Sequence, residues 1–304
     1  MRSRIPFLSL LVLGSLFLGM AQAQFRYVKS GGVGDGLSWG TAAGDLQAAI
    51  DSLGGQSGGI LVAAGTYKPG VSGFLVAAPV EFFGGFPADA SSATSMLDRD
   101  PWTHRTILSG DLAGNDEVDL ATGLPIVGTM DENACRVLDV QNLGVGDAVV
   151  VDGFLIEGGN ANNDTGPNRP GGGGIRVIGQ NGYRGNYGSF ILRDCELRRN
   201  LAGNDGYSGA SGGGLMTEYV DVELENCRVF HNLAGNGKNG ADGAEAQMGE
   251  GGSKGGDGGG IAVRNADNAV FDRVLFKGNV AGRGGDGGAG GESGLGGIDR
   301  KSVV

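Results

Sequence analysis

Four stretches in the second half of the chain can be written beneath one another without a gap: residues 149–161, 190–202, 222–234 and 269–281. Each carries apolar residues at matching places and closes on an alanine (Ala161, Ala202, Ala234, Ala281). Two residues before that alanine stands an anchor, Gly159, Asn200, Asn232 or Asn279, and successive anchors are 41, 32 and 47 residues apart. After a stretch of variable length each unit reaches Gly-Gly and an aliphatic residue: Ile175, Leu215, Ile261 and finally Ile298. A chain built this way is a repeat whose units share a constant segment but not a constant length.

Within a unit the apolar positions alternate, as in Phe190, Leu192, then Cys195 and Leu197, which is the period of a half-buried strand. One extra residue between the pairs resets the alternation, so a bend belongs there. Its occupants are Gly153, Asp194, Asn226 and Arg273, three of which tolerate a left-handed backbone. The Gly or Asn at the anchor reads by the same logic as a second left-handed corner. Two short strands, a bend, a variable loop and a third strand at Gly-Gly-aliphatic make one turn of a coil. No turn buries its apolar face alone, but stacked turns build a continuous core. This predicts a parallel β-helix, an all-β solenoid, with interior rows Val151/Leu192/Leu224/Phe271, Phe154/Cys195/Cys227/Val274 and Ile156/Leu197/Val229/Phe276. Four independent hairpins of a β-sandwich are the alternative, but they imply short turns rather than constant units with loops of free length.

The length variation is glycine-rich: 12 of the 26 residues from 235 to 260 and 10 of the 16 from 282 to 297 are Gly. Pro is scarce, with 8 residues, and the chain lacks a collagen period overall; its 40% hydrophobic content is enough to fill a core. These stretches are expected to project from one edge of the coil as mobile loops, because ordering Gly costs the most backbone entropy. Upstream, short strands are expected at Phe25–Val28, Ile60–Ala64, Phe74–Val76 and Val80–Phe83, with a turn at Gly65-Thr66. Apolar residues 42, 46, 49, 50 and 53 have helical spacing. An amphipathic helix there has a role, since the open end of a stack exposes strand edges that a helix can blunt. The expected layout is an N-terminal strand and capping helix over 24–57, irregular first coils over 58–148, and repeat coils from 149 to 304.

Several short motifs, in this order, resemble known exported proteins. Gly-Gly-Gly-Ile at 172–175 and 258–261, Gly-Gly-Gly-Leu at 212–215 and Phe276-Lys-Gly-Asn279 resemble the paired GGA[ILV] and FxxN repeats of chlamydial-type polymorphic outer membrane proteins. Leu197-Arg-Arg-Asn200 and Val229-Phe-His-Asn232 are weaker copies. The opening, through Leu46-Gln-Ala-Ala-Ile50, Val62-Ala-Ala-Gly-Thr-Tyr67, Phe83-Gly-Gly-Phe86 and Thr106-Ile-Leu-Ser-Gly-Asp111, is similar to exported right-handed parallel β-helix proteins of the pectate-lyase-like superfamily. The resemblance spans about residues 25 to 298 and implies a right-handed coil and an extracellular or outer-surface location on a bacterial cell. Those proteins continue through further coils, whereas this chain stops at Val304 just after Gly297-Ile298 opens a new strand; a truncated product, or an open end that pairs with something, is expected.

The start of the chain agrees with export. Arg2 and Arg4, the apolar run Phe7–Leu18 and Ala21-Gln-Ala23 form a signal peptide over 1–23, and no later apolar stretch is long enough to span a membrane. A formal charge of −11 argues against nucleic acid as a partner, and three Cys with two scattered His exclude a zinc site. Cys195 and Cys227 fall in one interior row and read as packing residues. The expected role is therefore binding or structural, as an adhesin directed at an extracellular or cell-surface glycan or protein. The competing reading is a polysaccharide lyase acting on acidic glycans. That chemistry needs a base and a partner for the uronate carboxylate, and Arg193, Arg198, Arg199, Arg228, His231 and Lys277 fall at outward positions that could supply them. His231, beside an anchor Asn, also reads as an ordinary surface residue. Asp111, Asp116 and Asp119, with Asn115 and Glu117, are candidate Ca²⁺ ligands, against the alternative of a solvated acidic loop.

Overall fold

The computed structural model describes residues 24–164, 171–180, 187–204, 209–242 and 250–287. The signal peptide expected at 1–23, the segment with Ile298 and the end of the chain lie outside the described residues. The described chain rotates through three sheets of seven, six and five strands, and the strands pair parallel throughout. The first sheet stacks Gln24–Val28, Gly58–Ala63, Val80–Phe86, Ala148–Asp152, Gly188–Arg193, Val220–Glu225 and Ala269–Asp272. The second stacks Gly65–Tyr67, Thr106–Ser109, Phe154–Glu157, Glu196–Arg198, Arg228–Phe230 and Leu275–Lys277. The third stacks Phe74–Val76, Leu138–Leu143, Ile175–Gly179, Leu215–Glu218 and Ile261–Arg264. This is an all-β parallel solenoid.

The register is the one the repeat demands. Leu192 pairs with Val151 on one side and Leu224 on the other, and Leu224 with Phe271. Leu197 stands between Ile156 and Val229, and Val229 beside Phe276. Leu215 stands between Ile175 and Ile261. Phe154, Cys195 and Cys227 share the core, with Val274 packed against it, and all three cysteines are free and buried. Burying a large apolar side chain is worth about 1.5–3 kcal/mol, so the buried members of each row are a major source of stability. The last members, Phe271 and Phe276, expected in the interior, are 44% and 49% exposed at the end of the described stack. Gly65-Thr66 is not a free turn: Gly65 sits at a corner with φ +153° and opens the first strand of the second sheet.

The bend residues are left-handed as expected, with φ of 87°, 49°, 53° and 51° at Gly153, Asp194, Asn226 and Arg273. The anchor is not. The residue before it takes the left-handed corner (Gly158, Arg199, His231 and Gly278, φ 54–76°), and the Asn itself does something else. Asn200 and Asn232 are fully buried and stacked. Asn200 Oδ1 accepts from Gly159 N (3.0 Å), while its Nδ2 donates to Ile156 O (3.1 Å) and to Asn232 Oδ1 (3.0 Å). Asn232 repeats the pattern, with Nδ2 donating to Leu197 O and to Asn279 Oδ1, both at 3.0 Å. The Asn232 and Asn279 side-chain oxygens also accept from the backbone N–H of the Asn one coil above. Each amide thus bridges its own coil to its neighbours with both Nδ2 protons used.

The paired glycines explain themselves against this ladder. A Cβ on Gly174 would stand 2.8 Å from Asn200 Nδ2, one on Gly214 3.1 Å from Asn232 Nδ2, and one on Gly260 3.0 Å from Asn279 Cγ. The Gly-Gly of one part of the unit and the Asn of another are a single packed feature, because only a residue without a side chain leaves room for the amide.

The helix is shorter than its apolar period suggests, Leu46–Asp51, and its N-cap Asp45 accepts from Ala48 N (3.1 Å). Leu46, Ala49 and Ile50 join the main core, while Ala42 packs in a separate cluster with Trp39 and Phe86. Gln47 treats the outermost strand of the third sheet as a partner: its Oε1 accepts from Leu75 N (2.8 Å) and its Nε2 donates to Leu75 O (3.1 Å).

The glycine-rich stretches, expected as mobile loops, are hydrogen-bonded where they are described. Gly235 N donates to Ala210 O, Gly256 N to Gly235 O, and Gly282 N to Gly256 O, at 2.8–2.9 Å. Farther out, Ser253 N donates to Lys238 O, Gly285 N to Ser253 O and Gly240 N to Asp286 O, each at 2.8 Å. A Cβ on Gly209, Gly235, Gly252, Gly256, Gly282 or Gly285 would overlap a neighbouring backbone. The sequence carries the signal as a three-residue period: Gly at 203, 206, 209 and 212, at 249, 252, 255 and 258, and at 282, 285, 288, 291, 294 and 297. Three residues is the repeat of the extended polyproline-II conformation, which returns the same face to its neighbour at every turn.

Replacing Asn232 with Ala should strand the Asn200 side-chain and backbone donors and the Leu197 carbonyl in the core. At about 1–3 kcal/mol per buried orphan, the loss should be at least about 3 kcal/mol by urea denaturation. Asn226→Gly, at a left-handed bend where the side chain adds only an exposed hydrogen bond to Asp194, should cost less than about 1 kcal/mol.

Candidate functional site

The connection between Thr106–Ser109 and Leu138–Leu143 is the longest in the first half of the coil, and it folds back over the second sheet. It forms a small hairpin in which Asp119 N donates to Leu124 O and Ile126 N to Glu117 O, both at 2.9 Å. Its tip crosses the row of left-handed corners: Gly123 lies so close to His231 that a Cβ there would stand 2.8 Å from Cε1. Its base meets the corner at Gly158, two coils above His231. A Cβ on Gly158 would be 2.9 Å from Asp111 N and 3.3 Å from Asp116 Oδ2. Between the loop and the corner row is a cleft of about 130 Å³ lined by Ser109, Asp111, Asp116, Glu157, Gly158 and Arg199.

The outward cations of the second sheet are engaged by carboxylates. Glu196, 6% exposed, is ringed by Arg105 (3.2 Å), Arg198 (3.2 Å) and Arg228 (4.0 Å), as a buried carboxylate requires. Arg198 also reaches Glu157 at 2.7 Å. Burial works against its charge, but the Glu157 and Glu196 carboxylates outweigh this and hold the Arg198 pKa above its ordinary value. The Arg228 guanidinium lies 4.0 Å from the Trp102 ring centre, with Arg105 at 5.5 Å from the same ring. Arg193 belongs to a different face, on the first sheet, beside Glu223 (3.7 Å) and Glu225 (3.5 Å). Asp152, its neighbour in that row, is held by Arg99. Lys277 is exposed at the bottom of the second sheet. His231 packs under the loop tip, and burial, followed by the charges of Lys277 and Arg199, lowers its pKa and favours the neutral ring.

Of the candidate metal ligands, the structure brings Asp111 and Asp116 together and separates Asp119. Asp119 Oδ1 accepts from Ala121 N (2.8 Å) and Thr122 N (3.3 Å), so that carboxylate builds the hairpin tip. The third member of the cluster is Glu132, on the return arm of the loop; one carboxylate oxygen from each of Asp111, Asp116 and Glu132 lies within 4.8 Å of the others. Asn133 completes the neighbourhood, donating from Nδ2 to Asp116 Oδ2 (2.9 Å) and Gly158 O (2.7 Å). Burial above all, then the charges of Asp111, Glu132 and Glu157, push the Asp116 carboxyl up to about 6 against the pull of the Asn133 hydrogen bond. Sequence spacing does not single out Glu132, because the pairing depends on how the intervening hairpin folds.

Arg198 and Arg228 thus belong to an ion-paired patch around Glu196, and Asp111 and Asp116 to an acidic cleft at the loop base that Arg199 faces, while Arg193, His231, Lys277 and Asp119 lie in neither. No family model, curated protein or solved structure matches the chain.

Because the folded-state pKa of Asp116 is raised, its protonation favours the folded chain, and that contribution is lost as pH rises through about 6. In chelator-treated protein, the stability of the native chain minus that of Asp116→Asn should rise as pH falls from about 7 to 4 and stay level above 7, measured by thermal melts across the range.

Proposed function

We propose that the chain is an exported β-helix of the surface-associated kind, whose role is to bind an extracellular or cell-surface glycan or protein rather than to transform it. The coil is right-handed in this reading, as parallel crossovers are in nearly all proteins. The short helix serves as the N-terminal cap, a role supported by the two hydrogen bonds that Gln47 makes with the sheet edge at Leu75. Export rests on the signal peptide read at 1–23 and on the repeat motifs shared with exported β-helix proteins. Among the described residues, no helix is long and apolar enough to cross a membrane.

The observation that carries the binding reading is the state of the cations. A β-eliminating lyase needs a base whose proton is easily lost, sitting over an open groove. Arg198 is gripped by the carboxylates of Glu157 and Glu196, and Arg228 is stacked on Trp102 beside the same Glu196. Both are thereby held in structural contacts, and Arg193 is paired on another face. These surfaces carry charges of both signs on successive coils, as in the rows Asp152/Arg193/Glu225/Asp272 and Glu157/Arg198/Phe230/Lys277, and suit repeated weak contacts along an extended ligand.

Incubation with pectate, alginate or chondroitin separates the two readings. The binding reading expects retention of the protein on at least one immobilised polysaccharide or extracellular protein, with no rise in the ultraviolet absorbance of unsaturated uronate. A rise that Arg228→Ala abolishes would establish the lyase instead.

A further inference from the structure

The acidic cluster at the base of the covering loop has a deficit that its protein neighbours cannot supply. Glu132 Oε1 is buried without a hydrogen-bond partner. Asn133, only 2% exposed and pressed against Asp116 through its Nδ2, likewise leaves Oδ1 buried and unpartnered. Around them stand Asp111 and Asp116, which as carboxylates are acceptors only, so these orphaned oxygens cannot satisfy one another. Asp111 accepts from the backbone N–H groups of Gly114, Asn115 and Asp116, and Asp116 from Asn133 Nδ2, but nothing donates to Glu132 Oε1 or Asn133 Oδ1, and oxygens crowded in this way are relieved by a cation or a proton.

The geometry points to a single bound Ca²⁺, held by Asp111, Asp116 and Glu132 with the Asn133 amide oxygen beside them. The donor set is entirely oxygen, which selects a hard cation. Calcium–oxygen distances of about 2.3–2.6 Å place ligands on opposite sides of the ion about 4.6–5.2 Å apart, against about 4.0–4.2 Å for Mg²⁺. The three carboxylate oxygens lie within 4.8 Å of one another, inside the span that calcium allows, and calcium tolerates the irregular geometry of a loop site better than magnesium does. The raised pKa of Asp116 agrees, since crowded carboxylates that resist ionisation are relieved by a divalent charge. Asp111 and Asp116 sit at the start of the covering loop and Glu132 at its end, so the ion closes the base of the segment whose tip reaches His231. Calcium in this account is a staple that holds the loop over the second sheet, independent of what the outer surface binds.

The test uses the exported full-length chain, stripped with a chelator and titrated with CaCl₂ at pH 7.5 by calorimetry, with thermal melts and limited proteolysis alongside. One site per chain is expected, with a higher melting temperature and slower cleavage within residues 117–127 when Ca²⁺ is present. Glu132→Gln and Asp116→Asn should each weaken binding by at least about tenfold, since each removes one ligand charge, while Asp119→Asn should bind as the native chain does. If Asp116→Asn does not fold, Glu132→Gln, on the far arm of the loop, decides the matter alone. No calcium-dependent heat or melting shift, or binding that survives both substitutions, would overturn the proposal and leave a proton on Asp116 as the occupant.

Discussion

The stacked carboxamides of Asn200, Asn232 and Asn279 are the interaction on which the rest of the coil depends. A buried primary amide is costly unless all its hydrogen bonds are made, and here each is made only when successive coils stand in one register. Apolar rows alone would tolerate a slip of two residues, which returns Leu, Val, Ile and Phe to the same face. The ladder does not, since any shift would strand its donors and acceptors in the core together. It also dictates the glycine immediately before the strands that begin at Ile175, Leu215 and Ile261, whose missing side chain makes space for the amide. In the coils that Asn200, Asn232 and Asn279 join, register and the direction of the outward side chains follow from it.

Outside the core, the same economy of space governs the glycine-rich segments. Backbones that touch at every third residue leave no room for a Cβ, so the cost of ordering glycine is offset by hydrogen bonds between the arms of successive loops. The covering loop of the second coil works differently. It has side chains to spend, and it uses them at two points, a carboxylate cluster at its base and the contact of Gly123 with His231 at its tip. The second sheet is thus shielded along one margin and bears an ion-paired patch along the other.

Much of this architecture is legible in the sequence because the repeat is ungapped. The pairings of Val151, Leu192, Leu224 and Phe271 follow directly from aligning the units, as do the left-handed bends at Asp194 and Asn226. Identical residue types can serve different physics, however, and that limits the reading of the anchor. Asn suits a left-handed corner, and it also suits a buried amide ladder; the corner in fact falls one residue earlier, even on Arg199 and His231. The glycine count suggests mobility until its period of three is noticed, because composition carries entropy but not packing. Gln47 and Glu132 leave no trace in local pattern. Each acts on a partner, Leu75 or Asp116, that only the folded path of the chain brings near.

The central claim is that a continuous, fully satisfied amide ladder locks the coils in register, and the protons of that ladder report on it directly. Hydrogen exchange of the Asn200 and Asn232 side-chain amides, followed by NMR on selectively labelled protein, is the decisive measurement. If the ladder exists, both carboxamides exchange as slowly as the backbone amides of the strands around Leu197 and Val229, through global unfolding alone. Exchange at the rate of an exposed asparagine would mean that the amides face water, and the stacking of coils described here would be wrong.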